Sequence, residues 1–484
     1  MYPKVAVLLS TLVFAGCVLP PKEAPHYREL TGSALGLSGV AAEPAADDWW
    51  ESFQDPQLDR LIRLGDKNNP TLAEAQARVA HALAQAQTAQ AGLRPSANLD
   101  ASALYQRAPE NYLIPPPLAG HSFWMGQAGA SLSWDLDFWG RQTDAVHRAL
   151  DLTQSARLDV DNARLMIAGA IAQAYIDLYR EYALADIAAR SEAQRQNIVN
   201  ITRRRVAAGI DTQLELREAE GQLPQARVAR NQAQAATALA AHQLATLTGQ
   251  GASAYASIGR PEFRVDAALP VPTALPINLL ARRPDVLSAR LSVQAADAQR
   301  LAAKAAFYPD VSLRALAGFG AFGMNNLVQW SARGYGAGPL ISLPLFDGGR
   351  LRAQYRDSES QLDGAIAAYN GTVLSAVQQA ADQITRLDAL AREQIDQQQT
   401  LEATEAAYKL AEERYTAGLA SYLSVLNAET QVLAARQSMV DIRTSQAAAR
   451  VTLLLSVGGS FDPEAAGTLA NAPDFGSSSQ FPSR

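Results

Sequence analysis

A single cysteine, Cys17, stands in a chain of 484 residues, so no disulfide can form within it. The five histidines, His26, His81, His121, His147 and His242, are dispersed without metal-ligand spacing, which argues against a metal centre. No apolar run reaches the roughly 18 residues of a membrane-spanning helix. With no basic block and a formal net charge of −6, the footprint of a nucleic-acid binder is absent. Aromatic residues make up only 7% of the chain. Alanine and glutamine dominate long stretches, which favours helix, and the length admits two or more domains.

The N-terminus reads "MYPKVAVLLSTLVFAGC": one lysine, an apolar run from Val5 to Gly16, small residues Ala15 and Gly16, then Cys17. That order reads as a secretory signal peptide over residues 1–16. A cysteine directly after "FAG" resembles a bacterial lipobox, which implies a covalent diacylglycerol and an N-acyl chain on Cys17. Phe14 stands where Leu is more usual, and Val18, in place of Asp, fits lipoproteins passed on to the outer membrane. The other reading is a plain signal peptide with an incidental cysteine.

Beyond residue 57 the chain repeats itself. "RRRVAAGIDTQLELREAE" from Arg203 and "EERYTAGLASYLSVLNAE" from Glu412 share a Gly, a Thr or Ser three residues on, and a helical run. Gly418 stands 209 residues after Gly209, and Ser421 the same distance after Thr212. "LATLTG" and "LLLSVG", ending at Gly249 and Gly458, keep that offset, as do "LSWDLDFWGR" and "ISLPLFDGGR". Pro70 pairs with Pro284 and Pro95 with Pro309 at an offset of 214, so one loop differs slightly in length. The organisation is a tether and equatorial segment over 17–57, one repeat over 58–255, a Pro-rich connector over 256–274, a second repeat over 275–460, and a tail over 461–484.

Each repeat reads as helix, strand, strand, long helix, tight turn, helix. In "SLSWDLDFW" Leu132, Trp134, Leu136 and Phe138 alternate with Ser131, Ser133, Asp135 and Asp137. "NLDASALY" alternates likewise, and "DVSLRALAG" and "GAGPLISLPLF" are their blurred counterparts. Such strands suit an outer-membrane barrel, or else the edge of a soluble β-sandwich. Residues 142–208 contain no proline and would make ~100 Å of helix. Ile167, Ile171, Ala174 and Leu178 step along one seam, as do Val373, Val377, Ala380, Ile384, Leu387 and Ala391. The shorter helices, 71–93 and 212–248, would together match the long one. Four strands cannot close a barrel, and open edges are forbidden in lipid, so several chains must pool about 8, 12 or 16 strands.

These duplicated units, with "DWWESFQDPQLDRLI", "LLARRPDVLSAR", "FYPDVSL", "PLFDGGR" and "ERYTAGLASYLSVLNAE" in order, resemble the bacterial outer-membrane efflux duct family of the TolC and OprM type. The lipobox resembles its lipoprotein branch, often labelled NodT. The resemblance covers nearly everything from Trp49 to Gly459. It implies a mixed α and β membrane protein, a homotrimer whose twelve-stranded outer-membrane barrel continues into a twelve-helix periplasmic tunnel. It implies passive export of drugs or other small toxic molecules, with a periplasmic adaptor (a membrane fusion protein) and an inner-membrane efflux pump as partners. No catalysis and no cofactor beyond the Cys17 lipid is expected. The rival readings are a porin-like uptake channel and a structural envelope lipoprotein without a pore.

The two tight turns carry the candidate sites. Gly209 and Gly418 can take positive φ to end one helix, and Thr212 and Ser421 can cap the next, Thr212 with Glu215 as a full capping box. The resemblance implies that Ala208, Gly209, Ile210, Ala417, Gly418 and Leu419 contact the adaptor; the plainer reading is that they only make the turns. It also implies a channel gate at Leu423 and Asn427, the latter Asp in many relatives. Glu215 and Glu218 are the first-repeat candidates, though Glu215 can be occupied as capping partner. Arg414 and Tyr415 resemble inter-helix links that hold the mouth shut, and a solvated helix face explains them as well. "GFGAFG" at Gly318–Gly323 matches a dinucleotide motif, but it ends a barrel-like strand rather than opening a helix, and reads as leading into an extracellular loop. Trp124 and Trp330 beside the loops suit an interfacial belt or simple packing.

Overall fold

The computed structural model describes residues 25–35, 37, 45–111, 115–266, 269, 271, 275, 278 and 282–462. Cys17 and residues 1–16 lie outside the described residues, as do parts of the connector and everything past Asp462. The described residues form two compact units, one over 25–29, 78–156 and 289–369, the other over 30–77, 157–288 and 370–462.

The elements run in two matching series. The first is α1 (Pro56–Asn68), α2 (Pro70–Gly92), β1 (Ser96–Arg107), β2 (Ser122–Leu136), α3 (Arg141–Ala207) and α4 (Gln213–Leu247). The second is α5 (Pro284–Ala305), β3 (Asp310–Phe322), β4 (Arg333–Ser342), α6 (Arg350–Thr416) and α7 (Tyr422–Ser456). The long helices α3 and α6 have 67 residues each, and α4 and α7 have 35 each. Only α1 has no counterpart in the reading of the sequence. Asp55 caps it, accepting from Gln57 N, with Pro56 in the first turn, and Leu58, Leu61, Ile62 and Gly65 form its buried stripe.

In the first unit the four strands pair in order β1-β2-β3-β4, all antiparallel. The register puts Trp134, Leu313 and Pro339 in one row and Leu136, Val311 and Ile341 in the next. Apolar side chains on this face stand bare, Leu99 at 80% and Tyr335 at 83% exposure. On the other face lie Ser133, Arg314 and Gly338, then Asp135 and Ser312. Pro339 stands in β4, the strand at the edge of this chain's sheet. Among the described residues the outer edges of β1 and β4 have no partner strand.

One expectation about the strands needs correction. The alternation of β2 does not reach Phe138, because the strand ends at Leu136 and the Asp137 carboxylate accepts the Thr143 N–H at 2.7 Å, turning the chain into α3. The "GFGAF" run ends a strand as expected, Gly318–Phe322 closing β3, and is not itself loop. A Cβ on Gly318 would come within 2.5 Å of the Ala128 carbonyl oxygen, so glycine there lets β2 and β3 approach closely. Trp124 leans on Tyr105 with ring centroids 5.3 Å apart, and Trp330 carries the Arg333 guanidinium over its ring.

In the second unit the repeat is visible atom by atom. Asn69 Nδ2 donates to the Leu247 carbonyl at 2.7 Å, tying down the C-terminal end of α4. Its counterpart Arg283 donates from Nη1 to the Ser456 carbonyl at 2.9 Å at the end of α7. Gly249 and Gly458 follow with φ of +69° and +99°. A Cβ on either would lie 2.2–2.3 Å from a carbonyl oxygen, that of Asn68 or of Arg282.

Candidate functional site

The α3–α4 and α6–α7 connections in the second unit are closed by the same device. After Ala207 the chain takes positive φ at Gly209, and Ile210 N donates back to the Arg205 carbonyl at 2.9 Å. After Thr416 it does so at Gly418, and Leu419 N donates to the Arg414 carbonyl at 2.8 Å. Both are six-to-one helix endings with glycine in the left-handed position. Thr212 starts α4 with a complete capping box, its Oγ1 accepting from Leu214 N at 3.2 Å and Glu215 Oε2 accepting from Thr212 N at 2.9 Å. Glu215 is thereby held below the ordinary carboxylate range, chiefly by the Thr212 hydroxyl. Ser421 is not the side-chain cap expected of it, because its hydroxyl pairs with that of Ser424 at 3.2 Å.

The turns themselves are open. Ala208, Gly209, Ile210, Ala417, Gly418 and Leu419 are all exposed, Ile210 at 60% and Leu419 at 71%. A Cβ on Gly209 would meet nothing within 4 Å, whereas one on Gly418 would touch Arg205 Nη1 at 3.7 Å. The helix ends behind them share one apolar core, with Ile198 and Val199 from α3, Leu223 from α4, Tyr408 and Tyr415 from α6, and Val425 from α7.

At the edge of that core lies a polar knot that the sequence only half revealed. Arg205 makes a two-armed pair with Asp211, Nε to Oδ2 at 2.7 Å and Nη2 to Oδ1 at 2.8 Å. Its Nη1 donates to the Tyr415 carbonyl at 2.6 Å, and the guanidinium sits 4.5 Å over the Tyr415 ring. The Tyr415 hydroxyl donates to Asp211 Oδ2 at 2.8 Å and lies 2.7 Å from Thr202 Oγ1. Arg205 and Asp211 side chains are each 10% exposed, so the bonds made by these two ions are charge-assisted and in poor contact with water. The Arg205 guanidinium holds the Asp211 carboxyl below the usual carboxylate range, and Asp211 in turn raises Arg205. Burial pushes the Tyr415 hydroxyl up to about 12.

Through the knot Tyr415 of α6 touches Thr202 and Arg205 of α3. Arg414 is exposed, and among the described residues its side chain joins no other helix of the chain. Its counterpart 209 residues earlier, Arg205, is the one turned inward, because Asp211 follows only there; Ala420 occupies the equivalent place. That pairing of a helix-end arginine with an acid in the turn was the available signal. Leu423, 59% exposed, and Asn427 share one face of α7, one turn apart, while Tyr422, Val425 and Glu429 are buried on the other. Glu218 is exposed on α4. The structure therefore gathers Tyr415, Arg205, Asp211 and Thr202, and leaves Leu423, Asn427, Glu218 and Arg414 outward. The described residues include no group of side chains fit to hold a metal.

The outer membrane efflux protein family matches the chain over residues 61–250 and 275–459, each match covering nearly one repeat. The chain belongs to the outer membrane efflux protein family. Among this family's named members, the chain is 37% identical to the fusaric acid resistance protein FusA of Burkholderia cepacia over 72% of its own length and 68% of FusA. It is 29% identical to the multidrug resistance outer membrane protein MdtP of Escherichia coli, over 94% of its length and 96% of MdtP. Its fold matches the outer membrane protein VceC of Vibrio cholerae with a TM-score of 0.80 and 33% identity, covering 87% of this chain and all of that one. The sheet is thus an outer-membrane barrel segment, and the outer membrane efflux protein serves as an exit duct across that membrane. Family members are channel proteins rather than enzymes.

Proposed function

We propose that this efflux protein works as a homotrimer, passively conducting drugs or other small toxic molecules delivered by an inner-membrane pump and a periplasmic adaptor. The observation that carries it is the open α7 face: Leu423 and Asn427 stand bare beside a turn whose neighbours are locked together, in a chain whose sheet has two unpaired edges. Three chains supply twelve strands, enough to close a barrel with an aqueous lumen. The resistance named for FusA and MdtP supports organic toxicants as the cargo class.

In this reading the exposed turns at Gly209 and Gly418 are the adaptor-docking tips, with Ala208, Ile210, Ala417 and Leu419 beside them. Three Leu423 side chains at a common axis form an apolar ring that closes by excluding water. Asn427 adds an amide ring without a strong cation site. Glu215 is occupied by its capping box, which leaves the exposed Glu218 as the first-repeat candidate. Arg414, exposed and without a carboxylate in its own turn, is available to the neighbouring protomer. Cys17 carries the lipid, and mass spectrometry of the mature N-terminus tests that part. Planar-bilayer recording of the purified trimer tests the whole: a channel closed at rest that conducts once the tips are disrupted supports the duct. Free conductance at rest would indicate a porin, and no conductance in any variant would indicate a structural lipoprotein.

A further inference from the structure

The tip of α4 is held differently from that of α7, and the difference lies in one proline and one arginine. Pro224 stands inside α4, where it has no N–H to give the Glu220 carbonyl and its ring crowds that carbonyl. Its counterpart 209 residues on is Leu433, so α7 runs through unbroken. Just below the proline, Arg195 of α3 reaches across. Its Nη1 donates to the Gln222 carbonyl at 3.1 Å and to Gln222 Oε1 at 3.3 Å. Its Nε donates to Glu429 of α7 at 3.2 Å, where Ser191 Oγ donates as well. The Glu429 side chain is 4% exposed and that of Arg195 16%. Above the proline, Glu192 of α3 takes Arg227 at 3.3 Å and Arg230 at 2.7 Å. In the second repeat Arg195 is replaced by Thr404, whose hydroxyl bonds within its own helix.

We propose that Pro224 is a hinge in α4 and that Arg195 is the positioning residue that clamps the segment below it, residues 213–223, to α7 through Glu429. The body of α4 is anchored separately by Glu192. Below the proline, Arg203 also holds Glu220 and Leu216, Ala219 and Leu223 are buried, so releasing Arg195 loosens the tip without detaching it. Because Glu429 lies on α7 between Val425 and Val432, the clamp also fixes the face that presents Leu423 and Asn427. This last step rests on the duct reading given above; the hinge does not.

The test is hydrogen exchange on the full trimer in detergent, paired with bilayer recording. Arg195→Met alone would strand a buried carboxylate, so the informative variant is Arg195→Met with Glu429→Leu, which keeps the site packed. We expect exchange in residues 213–223 to rise about tenfold or more while residues 226–247 stay unchanged. Pro224→Ala, restoring the missing N–H, should slow exchange in the same segment. Acceleration spread evenly over α4, or none, would overturn the hinge. If exchange behaves as expected, the double variant should also raise the resting conductance and Pro224→Ala should lower the frequency of opening. Local exchange as expected with no conductance in any variant, Leu423→Ser included, would leave the hinge standing and remove the duct gate.

Discussion

Arg205 Nη1 donates to the Tyr415 carbonyl at 2.6 Å while its other nitrogens hold Asp211, so one guanidinium joins the C-terminal ends of both long helices. Arg205→Met should leave Asp211 with the Tyr415 hydroxyl alone and remove the charge that balances it. Breaking a buried pair from one side costs about 3–5 kcal/mol. Chemical denaturation of the trimer should show a loss of that order, and resting conductance should rise. Unchanged stability would mean the knot is idle.

The same knot sets a pH window. Asp211 is lowered in the folded state, so its contribution is fully present above its unfolded value, about 3.9, and lost as pH falls through the lower folded one. Tyr415 is raised to about 12, so the contribution of its neutral form is complete below an unfolded value of about 10 and lost as pH rises through the folded one. Resting conductance should be flat between these limits and rise on the acid side below about pH 4. In Asp211→Asn the acid limb should vanish; its persistence would place the titrating group elsewhere.

Much of this fold could be read in the sequence, because the duplication doubled each weak signal. The first long helix appears one residue from where the proline-free run placed it, and Gly209 and Gly418 take the positive φ their spacing suggested. What was hidden depends on contacts between distant residues. Arg205 and Arg414 look alike as helix-end arginines, and only Asp211 in one turn against Ala420 in the other separates a buried linker from an exposed side chain. Ser421 reads as a cap until Ser424 is seen to engage its hydroxyl. The glycine-rich end of β3 reads as strand running into loop because glycine marks both loops and close strand contacts. Helix α1 was missed despite its apolar stripe, since it straddles the assumed start of the repeat.

The two turns offer a contrast in caps. Thr212→Ala should cost about 1 kcal/mol, as loss of an N-cap does, whereas Ser421→Ala should cost only a few tenths. Denaturant midpoints of the two variants measure the difference. Equal losses would contradict the assigned bonding of Ser421.

Docking is tested at the more confined turn. Gly418→Trp should abolish export with little change in outer-membrane assembly, because the barrel strands lie far from it in the chain. Gly418→Ala isolates the backbone term, about 1–2 kcal/mol for a left-handed residue with a Cβ. Resistance to an exported toxicant, measured in cells lacking other ducts, reads the outcome. Full resistance with the Trp variant would show that the adaptor does not contact this turn.

The most direct test of the gate is the conductance of Leu423→Ser in a planar bilayer, alongside Asn427→Asp. Three leucines need no charge to close a pore, so the account expects Leu423→Ser to raise resting conductance. Asn427→Asp should confer divalent-cation block that the native amide ring lacks. If Leu423→Ser conducts no better than the native protein while Glu215→Gln opens the pore, the seal belongs to the first repeat and the gate assignment is wrong.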